Sequence, residues 1–530
     1  MTAEARRDGS SRPRPGAKPV AAARSTSATF RRRVDVWMLR WQGRLDSEWS
    51  DRVLPWLFTF GLYLILELLA AARVRSLEGT VDLATYTQGI WLINNGFEPV
   101  LTITTGANLL AQQLAFVVYP VSLAGNVVPV QGALLFLQSA ALALAVVPIW
   151  RIARKLANLR VGAAFTLIVV YALYPTMHNL NLSGFYPETL ALPLLLYAAY
   201  FGLGKHWRRY AVCCVLIVLC RADFGLVVAG LGGLLWAEGR KVEGRISVVL
   251  GVAYTVLAVA VLQPRFGNGD FAHIAAFSAF GDSPGSILGG MVVSPGDTLS
   301  AVFRQQNFDL LITLFAPVAF LPFLAPRYLL PVLPLQFLFL VSDVPQAAVY
   351  GQQTVAITAF IFLAAAFALA RIGRTGVERI TVDRRVLAAL LLAGTLFFIR
   401  DSASSPYQSP WGWGGRDATD VARIEAAQTV GPDRAVRVSP PLLNRVAERP
   451  GVYVLEPGDE PDAAAAAVGV DAVVLDETTV PTWTATDREI FDLGLEELGF
   501  EKVSSAEGVS VFLRRPDGAP AETGSGSAGS

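Results

Sequence analysis

Nine apolar runs, separated by short polar segments that alternate between basic and acidic, leave this chain few ways to fold. They are Leu54 to Ala72, Val128 to Trp150, Val161 to Met177, Thr189 to Gly204, Ile246 to Pro264, Phe308 to Ala325, Tyr328 to Ser342, Val355 to Ala370 and Val386 to Ile399. Hydrocarbon offers backbone N–H and C=O groups no partners, so runs of this kind cross a bilayer as helices. A tenth apolar stretch, Tyr210 to Trp236, is broken by Arg221, Ala222 and Asp223 and flanked by KHWRR and EGRKVEGR. It reads as a hairpin of two short helices with the charged residues at its outer tip, which brings the expected total to about eleven crossings. Leu109 to Asn126 reads as a further helix, interfacial or re-entrant, because a crossing there would reverse the orientation of everything after it.

The charge pattern sets that orientation. RIARKLANLR at 151–160, KHWRR at 205–209, EGRKVEGR at 238–245 and RIGRTGVERITVDRR at 371–385 are basic. The alternate segments are poor in Lys and Arg and carry Asp82, Glu98, Glu188, Asp270, Asp282 and Asp297. Positive residues stay on the cytosolic side, so the acidic loops at 74–110, 178–188 and 265–306 are expected outside. Arg31, Arg32, Arg33, Arg40 and Arg44 before the first run keep the N-terminus cytosolic, and residues 1–50, lacking an apolar core, read as a disordered tail rather than a cleaved signal.

With 53% hydrophobic and 16% charged residues the chain lies outside the range of soluble domains, and a net charge of +1 names no partner. Cys213, Cys214 and Cys220 share one apolar run without metal-ligand spacing, so they read as packing residues. No internal repeat, glycine-rich phosphate loop or basic-aromatic pattern of a nucleic-acid binder is present. After Ile399 the composition changes. A Ser, Pro and Gly linker at 401–417 leads to a region at 418–515 that alternates short strands and helices, then to a flexible tail at 516–530. The expected fold is an all-α polytopic membrane bundle (51–400) with a small C-terminal extracytoplasmic α/β domain.

Chemistry concentrates on the outer side. Asp82, Gln88 and Trp91 fall at approximately helical spacing on a short interfacial helix. There Asp82 suits a general base or metal ligand, or else caps the helix. Glu188, in GFYPETL, suits a site carboxylate or a first-turn helix residue, and His178 and Asn181 lie in the same expected loop. Arg221 and Asp223 interrupt an apolar run, which is costly unless they face a polar cavity or each other. A guanidinium suits bidentate phosphate binding, so Arg221 is the expected contact of an anionic head group, with Arg304 a further candidate; the other reading is a salt bridge to Asp223. Glu67 and His273 are weaker candidates of the same kind, and Tyr350 belongs to a polar outer turn with Gln352 and Gln353. These residues name no cofactor, although the acidic mouth leaves room for a divalent cation.

Asp82, Gln88 and Trp91, the cytosolic exit PIWRIARKL, the segment YALYPTMHNLNLSGFYPETLALPLLLYA and the tip CRADF together resemble a family of uncharacterised prokaryotic polytopic membrane proteins. That family is grouped with the GT-C superfamily of membrane glycosyltransferases, which take sugars from polyprenyl phosphates. The resemblance covers about residues 54 to 400, and RAVRVSPPLLNRVAERPGVYVLE resembles the family's C-terminal portion. It departs where the family commonly has histidine: Gly106 to Asn108 end the first loop, Tyr186 stands in FYPE, Tyr350 to Gln353 form the late turn, and Asn444 lies in the tail. The tip also reads Arg-Ala-Asp in place of Lys-Glu-Asp.

The resemblance implies an inverting transfer from a polyprenyl-phosphate sugar to an envelope glycan, glycolipid or protein at the bacterial cytoplasmic membrane. Asp82 would act as base and Arg221 would receive the lipid phosphate, while Glu188, Asp223 and His178 orient sugar or acceptor. A lipid flippase or transporter, and a non-catalytic envelope scaffold, are the readings from other classes.

Overall fold

The computed structural model describes residues 46–104, 106–267, 274–343, 351–376, 379–407, 412–456 and 461–515. Tyr350, His273, Asp270, most of the expected N-terminal tail and the tail beyond 515 lie outside the described residues. The chain forms two units, Met1–Val53 and Leu54–Ser530. The described part of the first opens helix α1, where Arg52 pairs with Glu48 on the surface.

In chain order the main helices are α1 (Glu48–Arg75), α2 (Val81–Asn94), α3 (Val130–Leu144), α4 (Val161–Ala172), α5 (Pro175–Leu182), α6 (Ala191–Leu203), α7 (Trp207–Cys220), α8 (Phe224–Ala237) and α9 (Lys241–Leu257). They continue with α10 (Gln305–Phe315), α11 (Leu333–Val341), α12 (Thr354–Ile372) and α13 (Arg384–Asp401). Among the described residues five helical stretches are long and apolar enough to cross a membrane: Glu48–Arg75, Val130–Leu156, Val161–Leu182, Lys241–Phe266 and Thr354–Ile372.

The two faces of α1 show how such a helix is used. Trp56, Leu57, Phe60, Leu64, Ile65 and Leu68 are exposed along one stripe while Leu62, Leu66 and Ala70 are buried. Large apolar side chains on the outside are what a lipid-facing surface requires. Helix α12, in contrast, is apolar and buried around almost its whole circumference, so it stands in the middle of the bundle.

One expected span is corrected. Phe308 to Ala325 is not a continuous helix: α10 ends at Phe315, Ala319 and Phe320 adopt left-handed backbone, and short 3-10 turns carry the chain to Leu329. Pro317, Pro322 and Pro326 explain the break, because each removes a backbone donor and obstructs the preceding turn. The expected helix at 109–126 is likewise fragmented, into Leu109–Gln113, Val118–Ser122 and a 3-10 turn at Leu123–Asn126.

Helices α8 and α9 pack backbone to backbone. A Cβ on Gly232 would meet the Gly244 carbonyl at 2.5 Å, and one on Gly225 would meet the Gly251 carbonyl at 2.6 Å. Two levels of glycine, about two turns apart on one face of each helix, permit this approach, the usual device where lipid supplies no hydrophobic drive between helices.

Basic segments meet one another. The Ile380 amide donates to Asn158 and the Arg160 amide to Ile380, tying 151–160 to the two-residue strands β1 (Arg374–Thr375) and β2 (Ile380–Thr381). Arg240 donates from Nη2 to the Leu203 carbonyl (2.6 Å) and from Nη1 to that of Gly202, fixing the α8–α9 turn to the end of α6.

The C-terminal region forms a five-stranded sheet in the order β4-β3-β5-β7-β6: β3 (Val436–Val438), β4 (Val452–Val454), β5 (Ala472–Asp476), β6 (Phe500–Ala506) and β7 (Val509–Arg514). Strand β3 runs parallel to β4 and β5, and β7 pairs antiparallel with β5 and β6. Helices α14 (Ala418–Val430), α15 (Ala463–Ala467) and α16 (Ala485–Glu497) complete the α/β layers. One face of the sheet shares its core with α14, and that core also includes Ala84 of α2 and Ile103 of the segment that follows it. The other face packs Trp483, Phe491 and Leu495 against Val473, Leu475 and Phe512. Thr102 closes the free edge of β4, accepting from the Val452 amide (2.9 Å) and donating to its carbonyl (2.8 Å).

Candidate active site

The site starts at the head of α2. Thr80, with extended backbone, is the N-cap; its hydroxyl accepts from the Leu83 amide and donates to the Ser183 carbonyl at 2.5 Å. Asp82 is therefore not the cap. It is the second residue of the helix, exposed, where the helix dipole favours a carboxylate. Tyr186 donates from its hydroxyl to Asp82 Oδ2 at 2.6 Å. Burial first, then the Asp82 charge, push the Tyr186 phenol well above its ordinary value, so it remains a donor.

Behind this pair lies a buried ionic group. Glu188 is fully buried, and its Oε1 is 3.2 Å from Arg221 Nη1. Arg221 Nε is 2.9 Å from Asp223 Oδ1, and its guanidinium lies over the Phe339 ring at 5.3 Å. Nη2 of Arg221 has no partner among the described residues, and neither has the buried Glu188 Oε2. Asp82, Asp223 and Arg221 are the charged groups around Glu188. The two expectations for Arg221, partner of Asp223 and free phosphate contact, thus meet in one residue: two sides of the fork are engaged and one corner is open.

Tyr86, which is not among the residues expected from sequence, links the two halves. It is almost fully buried and donates to Gln113 Oε1 at 2.9 Å, and its edge meets the rings of Phe185 and Tyr186. The Gln113 carbonyl accepts from the Ala222 amide and that of Leu219 from Val117, so segment 109–126 clasps the α7–α8 tip. A signal for Tyr86 existed: it lies four residues after Asp82, on the same face of the helix.

The remaining expected residues are placed elsewhere. Gln88 is fully buried; its Nε2 donates to Thr102 (2.6 Å) and to the Pro450 carbonyl (3.3 Å), and its Oε1 accepts from the Ile103 amide. Trp91 stacks on Phe97 at 6.0 Å. His178 and Asn181 do not sit in an open loop, since residues 175–182 are helical and buried. The His178 ring bonds Ser404 (2.9 Å) and the Ala172 carbonyl (2.7 Å), and Asn181 bonds Ser139 and the Leu66 carbonyl. Arg304 is half-exposed and pairs with Asp343 beyond α11. Glu67, part-buried in α1, has an Oε2 without a hydrogen-bond partner among the described residues.

Two positions where the resemblance expects histidine fall around the head of α2. Tyr186 holds Asp82, and Asn444 donates to the Thr80 carbonyl at 3.0 Å while its own Oδ1 is buried without a partner. Among the described residues no three His, Cys, Asp or Glu side chains are arranged to hold a metal ion.

The family profile described as "Predicted membrane protein (DUF2079)" matches residues 73–511. The chain belongs to this family. For this DUF2079 member, no curated protein gives a match. Among solved structures it is similar to the Archaeoglobus fulgidus oligosaccharyltransferase in its apo form, at 14% identity and a TM-score of 0.40, over 88% of this chain and 75% of that one. It is similar to ArnT from Cupriavidus metallidurans bound to undecaprenyl phosphate, at 12% identity and a TM-score of 0.46, over 88% and 99%. It is also similar to the arabinofuranosyltransferase AftD from Mycobacteria, at 15% identity and a TM-score of 0.42, over 85% of this chain but 40% of AftD.

Proposed function

We propose that this DUF2079 protein is a membrane glycosyltransferase that moves a sugar, with inversion, from a polyprenyl-phosphate donor to a glycan, lipid or protein acceptor outside the bacterial cytoplasmic membrane. One observation carries the reading: an exposed carboxylate, oriented by Tyr186, stands beside a buried Glu188–Arg221–Asp223 group with one guanidinium corner open. In this reading the N-terminus and the basic segments are cytosolic, about eleven helices cross, and the site and C-terminal domain lie outside.

Asp82 takes the proton of the acceptor hydroxyl as that oxygen attacks the anomeric carbon. The bond from this carbon to the phosphate oxygen breaks, and the lipid phosphate leaves with the electron pair. That leaving group is already a stable anion, so a cation matters more to it than an acid. Arg221 supplies the cation through Nη2, and Arg304 is the second proposed contact of the lipid phosphate. Glu188 Oε2 accepts from a sugar hydroxyl and Asp223 holds the guanidinium in place. Trp91 remains a candidate for sugar stacking, whereas Gln88, His178 and Asn181 act by positioning the elements that carry the site.

The test is transfer of radiolabelled sugar from polyprenyl-phosphate donors in membranes holding wild type or Asp82→Asn at matched expression. A positioned base contributes about 100- to 10,000-fold, so a loss of that size is expected. Equal transfer by both removes Asp82 from the chemistry, and no transfer from any donor overturns the reading.

A further inference from the structure

Residues 102–104, the edge strand β4 and the start of α15 line a half-open cavity of about 380 Å³. Its volume falls in the range of small-molecule sites. The floor is apolar, formed in part by Trp483 and Phe491, and Glu456 and Asp462 stand exposed at the rim. One wall is Tyr453 with the Arg437 guanidinium over its ring at 5.2 Å.

Arg437 is the telling residue. Its Nη2 donates to the Val468 carbonyl at 3.2 Å, but its Nε is buried and has no hydrogen-bond partner among the described residues. Buried donors are almost always satisfied, so a lone guanidinium N–H in a cavity wall asks for an acceptor from a ligand. Two rim carboxylates against one arginine disfavour a phosphate or other polyanion. A neutral polyol answers all the groups at once: its hydroxyls accept from Arg437 and donate to Glu456 and Asp462, while its apolar ring face covers the aromatic floor.

We propose that this cavity is a saccharide subsite that holds an oligosaccharide acceptor. The assignment as acceptor rests on the glycosyl-transfer reading above; the saccharide site itself does not. The geometry links it to the chemistry, because Thr102 at its edge is bonded to Gln88, two turns along α2 from Asp82. Those six residues span roughly 9 Å of helix, so a chain of two or more sugar rings, not a single sugar, reaches from one to the other.

Full-length protein in nanodiscs, applied to an array of neutral and uronic-acid oligosaccharides one to eight rings long, tests this. Wild type is expected to retain oligosaccharides and not monosaccharides. Arg437→Gln and Glu456→Gln should each lower retention at least tenfold. No retention by wild type, or retention unaltered in both cavity variants, overturns the proposal. Retention without transfer from any donor would leave the subsite standing and remove its role in glycosyl transfer. Transfer without retention would remove the subsite and leave the activity.

Discussion

Asp82 and Glu188 lie in one neighbourhood in opposite states, one exposed and held by a neutral donor, the other buried and paired with a cation. That contrast separates their expected responses to substitution. Tyr186→Phe removes the donor that orients Asp82, which should cost about 1 kcal/mol of stability. The larger effect should be on transfer, about tenfold or more, since the base then loses its fixed direction. A melting curve and the radiolabel assay on the same preparation separate the two. Arg221→Met, by contrast, strands Glu188 as an unpaired buried charge and should destabilise by about 3–5 kcal/mol. Adding Glu188→Gln to that variant should recover part of the loss. A melting temperature for the double variant as low as for Arg221→Met alone would show that the pair is not what holds this region.

Among the helices, the α8–α9 crossing presents a sharp test, because its contact is made of backbone. Gly232→Val has no room against the Gly244 carbonyl, so the helices must separate and the α7–α8 tip that carries Arg221 must move with them. A lowered melting temperature together with lost transfer is expected. Gly233→Val, where a Cβ meets nothing within 4 Å, is the control and should behave as wild type apart from a small helix-propensity change. Equal behaviour of the two variants would mean that the close approach is not needed. Helix α2 is the other element with a distinct role: Asn444 bonds its cap at one end, and Gln88 ties its middle to Pro450 and Thr102.

For the whole molecule, those ties make the C-terminal domain part of the site's scaffold. Ala84 and Ile103 belong to its core, so the sheet is packed on the helix that carries Asp82 and on the segment that follows it. Gln88→Ala leaves Thr102, Ile103 and Pro450 without a common partner in a buried place, at about 1–3 kcal/mol. Hydrogen exchange should then quicken at residues 81–94 and at β4 together. Faster exchange at α2 alone would show that the sheet is held independently of it. The orientation is open to the same kind of check: a cysteine introduced at Lys205 should resist an impermeant thiol reagent in intact cells, and one at Asp297 should react.

Chain-long features were legible without coordinates. Apolar runs, basic turns and the strand-helix alternation after residue 418 are properties of consecutive residues, and membrane insertion and helix or strand choice act on such properties. The 14-residue helix at Asp82 and the charged hairpin tip were readable for the same reason. The partners were not. Tyr186 meets Asp82 across 104 positions, Glu188 meets Arg221 across 33 and Gln88 meets Pro450 across 362, and no local pattern encodes such pairings. The same holds for His178, whose ring looks available in sequence and is spent on Ser404, 226 positions away. The sequence by itself determined that the chain enters a bilayer as helices and where its charges gather, because water and lipid sort residues one segment at a time. Tertiary structure decided which carboxylate stays exposed, which is buried against arginine and where a cavity remains, because those depend on what packs beside each side chain.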